Sequence, residues 1–411
     1  MSGRVCDSGV LMPVDEAIRH LLDQAPPPPP VQPLTLDQAL GRVLAADVRC
    51  PMNLPAWDNS AMDGYAVRAA DLPQGGGDLA LVGRIAAGDG PGAPLQTGQA
   101  VRIFTGAPLP PGADTVIPQE VCRLEHGRVW LPSAHRGDHV RKEGEELRQG
   151  DRLLAAGTRL RAQELGLLAG AGIARVETYR ALQVGLLSSG DELREPGELL
   201  APGQIYNSNR QSLAALLRGW GVEVQDFGVM PDQLLASRQT LSLAAADCDV
   251  LLTSGGVSVG EEDHLKQAIQ ALGNLDVWRL AIQPGKPLAF GDVAGKPWIG
   301  LPGNPSAALV TALILVRPFL FRAQGIADVL PVPLRLPAGF DWLKRNRRRQ
   351  YLRARLVPDV NGHLSVVLHG QQSSAMLTAA CWASGLAVVE CDGQVHKHDP
   401  VTYLPFSELM H

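Results

Sequence analysis

The sequence has few cysteines, no excess of positive charge and no long apolar run. Its six cysteines lie far apart in 411 residues, and no two have the CxxC spacing of a zinc site or a redox pair. Neither a zinc site nor a disulfide framework is therefore indicated, and we expect buried free thiols in a reducing compartment. The formal net charge of −5 argues against a dedicated nucleic-acid-binding protein, which is usually basic.

The sequence also gives no sign of a signal peptide or a membrane span. Its first twenty residues contain three acidic side chains and lack an apolar core. The longest apolar run, 307–316, has about half the length that a bilayer requires. These absences predict a cytoplasmic protein with no membrane partner. At roughly 150 residues per domain, the chain accommodates about two to four domains.

Alternating strands and helices are predicted between residues 180 and 320. Short apolar runs that are typical of strands begin at Leu182, Val222, Val250 and Trp298, and a helical pattern follows each of them. This alternation predicts a doubly wound parallel sheet.

The flanking segments have other patterns. Helical spacing predicts helices at 14–22 and 35–46, the second with Thr35 as its N-cap. Residues 47–144 are rich in glycine and proline with short β-like runs, which predicts a small β-domain. Residues 328–411 alternate apolar and polar side chains, which predicts a second one.

Three loops of unusual composition follow predicted strands. They are 187–193 (LSSGDEL), 253–263 (TSGGVSVGEED) and 300–305 (GLPGNP). Because the carboxyl ends of parallel strands lie along one edge of a sheet, we expect the loops to converge where such sheets bind ligands.

The second loop has the features of a phosphate-binding turn. Gly255 and Gly256 allow close approach of the backbone, Ser254 and Ser258 can donate hydrogen bonds, and a helix N-terminus follows. The same glycines are equally expected in a turn that only packs a strand tightly against a helix.

Acidic side chains are concentrated in and beside these loops. They are Asp191, Glu192, Asp232, Glu261, Glu262 and Asp263. Single acids at helix N-termini are often only caps. Several on one edge, beside a phosphate-type loop, are more typical of ligands for a hard cation such as Mg²⁺.

Three further features have both a functional and a structural interpretation. Lys286 lies between turn residues, where it can pair with an oxyanion or remain solvated. Asp58 and Asp63 belong to a loop, 55–66, that is either a site or a set of Asx turns. A basic run, 344–355, suits RNA, a solvated β-ribbon or a pocket for a small polyanion; the scarcity of aromatic residues argues against nucleic acid.

Taken together, these motifs resemble the molybdopterin molybdenumtransferase family, which includes bacterial MoeA and the E domain of gephyrin. The motifs occur in the family's order and span nearly the whole chain. They are 58–67 (DNSAMDGYAV), 104–108 (FTGAP), 188–193 (SSGDEL), 254–260 (SGGVSVG), 284–287 (PGKP) and 300–305 (GLPGNP). The first motif and the last two are the most specific.

The resemblance implies a multidomain α/β fold with four domains. An elongated N-terminal α+β domain would combine residues 1–45 with 145–178, and an inserted β-domain would cover 46–144. A doubly wound α/β domain that binds molybdopterin would cover 179–327. A C-terminal β-barrel domain would cover 328–411.

The resemblance also implies a reaction and its participants. Molybdate is inserted into adenylyl-molybdopterin with the help of Mg²⁺, and molybdenum cofactor and AMP are released. The active site would lie at the interface of a homodimer, where the Asp58 loop of one chain faces the α/β domain of the other. Molybdopterin adenylyltransferase and apo-molybdoenzymes are further candidate partners.

The site residues follow from the positions of the motifs. Catalytic roles are implied for Asp58, Thr105, Glu192, Asp263 and Lys286. Substrate binding is implied for Ser189, Gly190, Ser254, Gly255, Gly256, Ser258, Asp232, Arg279, Gln283, Pro302, Gly303, Asn304, Arg353 and Ser374. The metal ligands would be Glu192, Asp232 and Asp263.

Several positions depart from the family pattern. Arg279 and Gln283 replace frequent lysines, Asn207 replaces a common aspartate, and His264 stands at a tyrosine-type position. The missing charge at Gln283 keeps open an alternative, a molybdopterin-binding paralogue that stores or delivers cofactor without inserting metal. A scaffolding protein is a third class, against which the lack of long extra linkers argues. The sequence does not distinguish molybdate from tungstate.

Overall fold

The computed structural model describes residues 11–256 and 264–410. Three six-stranded sheets organise these residues, together with short two-stranded pairs. The predicted multidomain α/β class is confirmed. The residue limits of the individual domains stay a prediction.

The N-terminal helix forms where its apolar spacing predicts it, over Val14–Asp23. Val14, Ala17 and Leu21 are buried in the same apolar cluster as the central sheet. The helix therefore attaches this end of the chain to the α/β region.

The helix predicted at 35–46 is wrong. Val31–Thr35 is a strand that pairs antiparallel with Arg175–Tyr179, and only a 3₁₀ turn, Leu36–Gln38, follows it. Gly41 has a φ of 76°, a left-handed conformation that a right-handed helix does not contain. Backbone pairing with a distant strand has overridden the local helical spacing, and Thr35 makes no capping hydrogen bond.

Segments from both sides of residues 59–141 pack around this strand pair. Val48–Arg49 pairs antiparallel with Arg152–Leu154, and the helix Ala162–Gly170 lies next in sequence. Leu44 and Leu168 are buried in one shared cluster. A discontinuous N-terminal domain requires such an arrangement.

The segment between these parts is mainly β-structure, as predicted. Its six-stranded sheet has the spatial order Thr115–Pro118, Gly64–Val67, Gln99–Ile103, Gly77–Ile85, Arg128–Leu131 and Arg123–Glu125. Tyr65 and Val67 are buried in one apolar cluster and Ala66 in another. This alternation is the two-residue period of a strand, so both faces of the sheet are covered.

The central sheet contains the predicted parallel strands. Its spatial order is Glu223–Met230, Gln183–Ser189, Val250–Ser254, Lys296–Leu301, Pro287–Val293 and Leu275–Arg279. The first four strands are parallel. Helices Leu234–Asp247 and His264–Leu272 contribute to the apolar cluster on one face, and Ser208–Gly219 and Pro305–Ala323 to the cluster on the other, so the sheet is doubly wound.

The strand Pro287–Val293 runs antiparallel to both of its neighbours, Lys296–Leu301 and Leu275–Arg279, which the sequence patterns do not predict. Pro287–Val293 and Lys296–Leu301 form a hairpin through Ala294 and Gly295. These turn residues have φ values of 49° and 78°, which are typical of a tight type I′ turn. The sequence does not predict the strand Pro287–Val293, because the preceding proline and glycine at 284–285 are typical of a loop.

The most apolar helical stretch is Pro305–Ala323, with a π-helical segment at Ala312–Val316. By length and composition it could cross a membrane, but 94% of its apolar window is buried inside the protein. It is therefore the core helix of the α/β region.

The C-terminal strands form a half-barrel. They are Leu334–Pro337, Arg349–Pro358, Leu364–Leu368, Gly385–Val389 and Pro400–Pro405, with short helices at Thr378–Trp382 and Phe406–Leu409. A two-residue strand from the α/β region, Ile282–Gln283, joins this sheet in parallel with Arg349 and Gln350. The two regions thus share a sheet edge.

The cysteines only partly match the predicted burial. Cys50 and Cys248 are buried, and burial raises the pKa of the Cys248 thiol to about 11. Cys381 and Cys391 are exposed, Cys122 is half-buried, and Cys6 lies outside the described residues.

Candidate functional site

A large cleft opens at the carboxyl ends of the parallel strands. Its volume is about 1330 Å³. It is lined by residues within 189–193, 205–209, 254–256, 283–287, 302–307 and 372–375, and by Asp232 and Arg348. The three loops that were predicted to converge therefore meet here, together with a wall from the C-terminal half-barrel.

Most of the predicted binding residues lie on this cleft. They are Ser189, Gly190, Glu192, Asp232, Ser254, Gly255, Gly256, Gln283, Lys286, Pro302, Gly303, Asn304 and Ser374. Ser258 and Asp263, with Glu261 and Glu262, lie outside the described residues.

The glycine loop approaches its neighbouring strand so closely that only glycine fits. Gly255 has a φ of 84°, and a side chain there would overlap the carbonyl oxygen of Ser189. Gly256 has a φ of 65° and faces Leu265. These contacts support the packing interpretation of the glycines. Both residues also line the cleft, so the phosphate-binding interpretation stays open.

Three carboxylates line the cleft, those of Asp191, Glu192 and Asp232. Glu192 and Asp232 are exposed, and no ion pair or side-chain hydrogen bond within residues 11–256 and 264–410 involves either of them. Oxygen donors of this type suit Mg²⁺. Among the described residues, however, no three His, Cys, Asp or Glu side chains come together as a metal site.

The loop that presents Lys286 is held by its surroundings. The Leu280 amide donates to the Lys286 carbonyl oxygen at 2.8 Å. Gly285 has a φ of 104° and is seated against Thr311 of the core helix, where a side chain would overlap the threonine hydroxyl. The exposed ammonium of Lys286 is therefore carried on a fixed backbone at the cleft.

Arg348 is a site residue that the sequence indicates only as part of a basic run. It lines the cleft, and its guanidinium donates to Gln283 Oε1 at 3.3 Å. The side-chain amide of Asn346 donates to the same oxygen. The amide nitrogen of Gln283 is consequently the part left to contact an anion, with a positive charge beside it.

Two asparagines on the cleft also went unpredicted as site residues. Asn209 donates to the carbonyl oxygen of Gly303 at 2.8 Å, which fixes the 300–305 loop. Asn207 caps the helix Ser208–Gly219 by accepting from the Arg210 amide at 3.2 Å. The sequence analysis noted Asn207 only as a departure from the family pattern, because sequence does not show which loop a helix N-terminus faces.

Arg353 does not line the cleft. The residue is 1% exposed, and its guanidinium donates to the carbonyl oxygens of Tyr351 and Ser373, each at 3.2 Å. Burial lowers the pKa of this guanidinium to about 10. The side chain therefore supports the 372–375 loop from behind, while Ser374 faces the cleft. Arg279 is exposed at a strand end and is likewise not a lining residue.

Asp58 and Thr105 lie in the β-region and not on this cleft. Asp58 pairs with Lys142 at 2.7 Å and accepts from the Glu143 amide at 2.8 Å. Partial burial raises the pKa of Asp58, but the Lys142 and Glu143 hydrogen bonds outweigh it and lower the pKa. Asp63 accepts from the Thr105 amide and hydroxyl at 2.8 and 2.7 Å, and these bonds lower its pKa.

The part of the chain that forms the central sheet and most of the cleft matches a known α/β domain family. A family model described as a probable molybdopterin binding domain matches residues 185–322. Models of the MoeA N-terminal region (domain I and II) and the MoeA C-terminal region (domain IV) match residues 12–172 and 335–406.

The chain belongs to the molybdopterin molybdenumtransferase (MoeA) family. It is 38% identical to the molybdopterin molybdenumtransferase of Haemophilus influenzae over 404 residues, which cover 97% of this chain and 100% of the relative. It is 41% identical to that of Nostoc sp. over 298 residues, 70% of this chain and 68% of the relative. A crystal structure of a molybdopterin biosynthesis MoeA protein from Pyrococcus horikoshii superposes with a TM-score of 0.76 at 31% identity, covering 97% and 99% of the two chains.

Proposed function

We propose that this protein inserts molybdate into adenylyl-molybdopterin and releases AMP, which yields molybdenum cofactor. The observation that carries the proposal is one cleft that combines free carboxylates, a close-packed glycine loop and two cations. The names of the relatives support metal transfer to molybdopterin.

The cations suit the anionic substrates. Molybdate is a dianion and needs donors, and Lys286, Arg348 and the Gln283 amide provide them at one end of the cleft. The glycine loop, with Ser189 and Ser254, lies where the pyrophosphate of the other substrate can approach the backbone.

The carboxylates suit Mg²⁺. Glu192 and Asp232 would hold it, with Asp263 as the third predicted ligand. When bound, Mg²⁺ would neutralise the charge that develops as the phosphoanhydride is cleaved. Because neither described carboxylate is neutralised by a basic side chain among residues 11–256 and 264–410, both are available for a cation.

The remaining parts of the proposal concern the assembly and its setting. We place the protein in the cytoplasm as a homodimer, with Asp58 and Thr105 completing the partner's cleft. Molybdopterin adenylyltransferase would supply the substrate, and apo-molybdoenzymes would accept the product.

The assay for this function supplies adenylyl-molybdopterin and follows AMP release. We expect release to require both Mg²⁺ and molybdate. A protein that binds the substrate tightly but releases no AMP under these conditions would instead be the storage or delivery paralogue that Gln283 keeps open.

A lysine at position 283 should strengthen molybdate binding. In Gln283→Lys a charged donor replaces a neutral one, and Arg348 loses its acceptor and becomes available to the anion. A charge-assisted hydrogen bond is roughly twice as strong as a neutral one, so we expect the half-saturating molybdate concentration to fall about three- to tenfold.

The measurement is made with saturating adenylyl-molybdopterin, and the gain should shrink as salt increases. Gln149→Lys, an exposed change in another part of the chain, controls for net charge. An unchanged concentration would mean that Lys286 and Arg348 already supply all the charge that the site uses.

Complementation between two inactive variants should reveal the composite site. In a mixture of Asp58→Asn and Glu192→Gln chains, a mixed dimer has one cleft with both residues intact. Random mixing should therefore restore about a quarter of the wild-type rate of AMP release, because half of the dimers are mixed and each has one intact site. No recovery in demonstrably mixed dimers would place both residues in the site of a single chain.

A further inference from the structure

Three parts of the chain meet directly behind the loop that carries Gln283 and Lys286. The Met12 amide donates to the Arg279 carbonyl oxygen at 2.8 Å, and the Met12 carbonyl accepts from the Ala281 amide at 2.8 Å. On the other side, the Arg349 amide donates to the Ala281 carbonyl oxygen at 2.8 Å. The N-terminal segment and the half-barrel thus both bind the backbone of Ala281, from opposite sides.

The strand pairing between the α/β region and the half-barrel is short. Ile282 and Gln283 are the only two residues that the described α/β strands contribute to the half-barrel sheet, opposite Arg349 and Gln350. So short a strand pair leaves the relative position of the two regions to other contacts.

The side chain of Arg349 supplies such a contact. Its two terminal nitrogens donate to the two carboxylate oxygens of Asp15 at 2.6 and 2.8 Å, and Nε donates to Glu390 at 2.7 Å. Asp15 lies in the first turn of the N-terminal helix, and Glu390 follows the strand Gly385–Val389. The hydrogen bonds from Arg349 lower the pKa of Asp15. The carboxylate is therefore ionised and forms an ion pair with the guanidinium of Arg349.

Arg349 is adjacent to Arg348, which lines the cleft. Arg348 immediately precedes the strand that begins at Arg349, so contacts that hold the Arg349 side chain also restrict the position of Arg348. Arg349 is not a lining residue of the cleft.

We propose that Arg349, held by Asp15 and Glu390, is a positioning residue. It keeps the side chain of Arg348 beside Gln283 and Lys286 in the cleft. The proposal rests on the proposed function for its link to molybdate, but the contacts of Arg349 with Asp15 and Glu390 do not depend on that function. Exposed ion pairs add little to stability, whereas small displacements of binding groups are costly to a reaction. Loss of the ion pair between Arg349 and Asp15 should therefore affect anion affinity more than folding.

The test compares Asp15→Asn with Glu16→Gln, which removes the same charge from the same helical turn. Asp15 is 67% exposed at its side chain, so neither change should prevent folding. Two quantities are measured: the dissociation constant of molybdate alone by equilibrium dialysis, and hydrogen exchange of the amides in 279–287.

We expect Asp15→Asn to weaken molybdate binding about three- to tenfold and to accelerate exchange in 279–287, with kcat changed less than twofold. Glu16→Gln should match the wild type, and Asp15→Glu should recover part of the affinity. Equal behaviour of Asp15→Asn and Glu16→Gln would overturn the positioning role. So would a parallel loss of kcat, affinity and unfolding temperature, because that pattern is expected of a purely structural contact.

The two proposals fail in distinguishable ways. If wild-type protein binds molybdate and Asp15→Asn binds it equally well, only the positioning role is wrong. If wild-type protein neither binds molybdate nor releases AMP from adenylyl-molybdopterin when Mg²⁺ and molybdate are present, the proposed function is wrong and the link to the anion is lost with it.

Discussion

Glu192→Gln should reduce AMP release at saturating substrate concentrations about 100-fold or more, while the protein stays folded. Glu192 is an exposed carboxylate on the cleft, and no described basic side chain pairs with it. If it holds Mg²⁺, its loss removes stabilisation from the charge that develops on the phosphoanhydride. A metal ion contributes several kcal/mol there, and about 2.7 kcal/mol already corresponds to a 100-fold change in rate.

The loss should be accompanied by a higher Mg²⁺ requirement, which separates a metal ligand from a residue that contacts the nucleotide. Glu125→Gln, on an exposed edge strand of the β-region, removes the same charge elsewhere and should leave the rate unchanged. Wild-type turnover by Glu192→Gln at ordinary Mg²⁺ concentrations would show that this carboxylate is not a ligand, and Asp232 would then be the first candidate.

Gly255→Ala should damage both the fold of the loop and the reaction. The residue has a φ of 84°, and the added methyl group would overlap the carbonyl oxygen of Ser189. The left-handed conformation alone costs a non-glycine residue roughly 1–2 kcal/mol, and the overlap adds to it. We expect the free energy of unfolding to fall by about 2–4 kcal/mol and the affinity for adenylyl-molybdopterin to fall sharply, because the loop must move away from the strand.

Gly228 provides a matched control for this substitution. Its φ of 73° is also left-handed, but a side chain there would meet open space. Gly228→Ala should therefore show the conformational cost without the overlap or the loss of binding. Denaturant unfolding and substrate titration of the two variants make the comparison. Equal effects of the two substitutions would mean that the loop accommodates a methyl group and that close packing at Gly255 is unimportant.

The parallel core of the fold was predictable because local pattern and tertiary structure agree there. Short apolar runs become Gln183–Ser189 and Val250–Ser254, and a helix follows each of them along the chain. The 35–46 segment failed for the opposite reason. Its spacing is helical, but the backbone of residues 43–45 bonds instead to residues 177–179, more than a hundred positions away.

The candidate site was likewise predictable from the sequence only in part. Loops that follow parallel strands had to converge, so Glu192, Gly255 and Asn304 could be placed together from sequence. The position of Arg348 could not, because it depends on a two-residue strand pair between the α/β region and the half-barrel. The buried role of Arg353 was equally hidden, since sequence gives no sign of which carbonyl oxygens a guanidinium will meet.

AMP release and metal insertion should be coupled in one cleft. The most direct measurement is the number of molybdenum cofactor molecules formed for each AMP released, with cofactor assayed by reconstitution of an apo-molybdoenzyme. We expect a ratio close to one in the wild type and a parallel loss of both products in Glu192→Gln. AMP release without cofactor, or cofactor binding without AMP release, would contradict it.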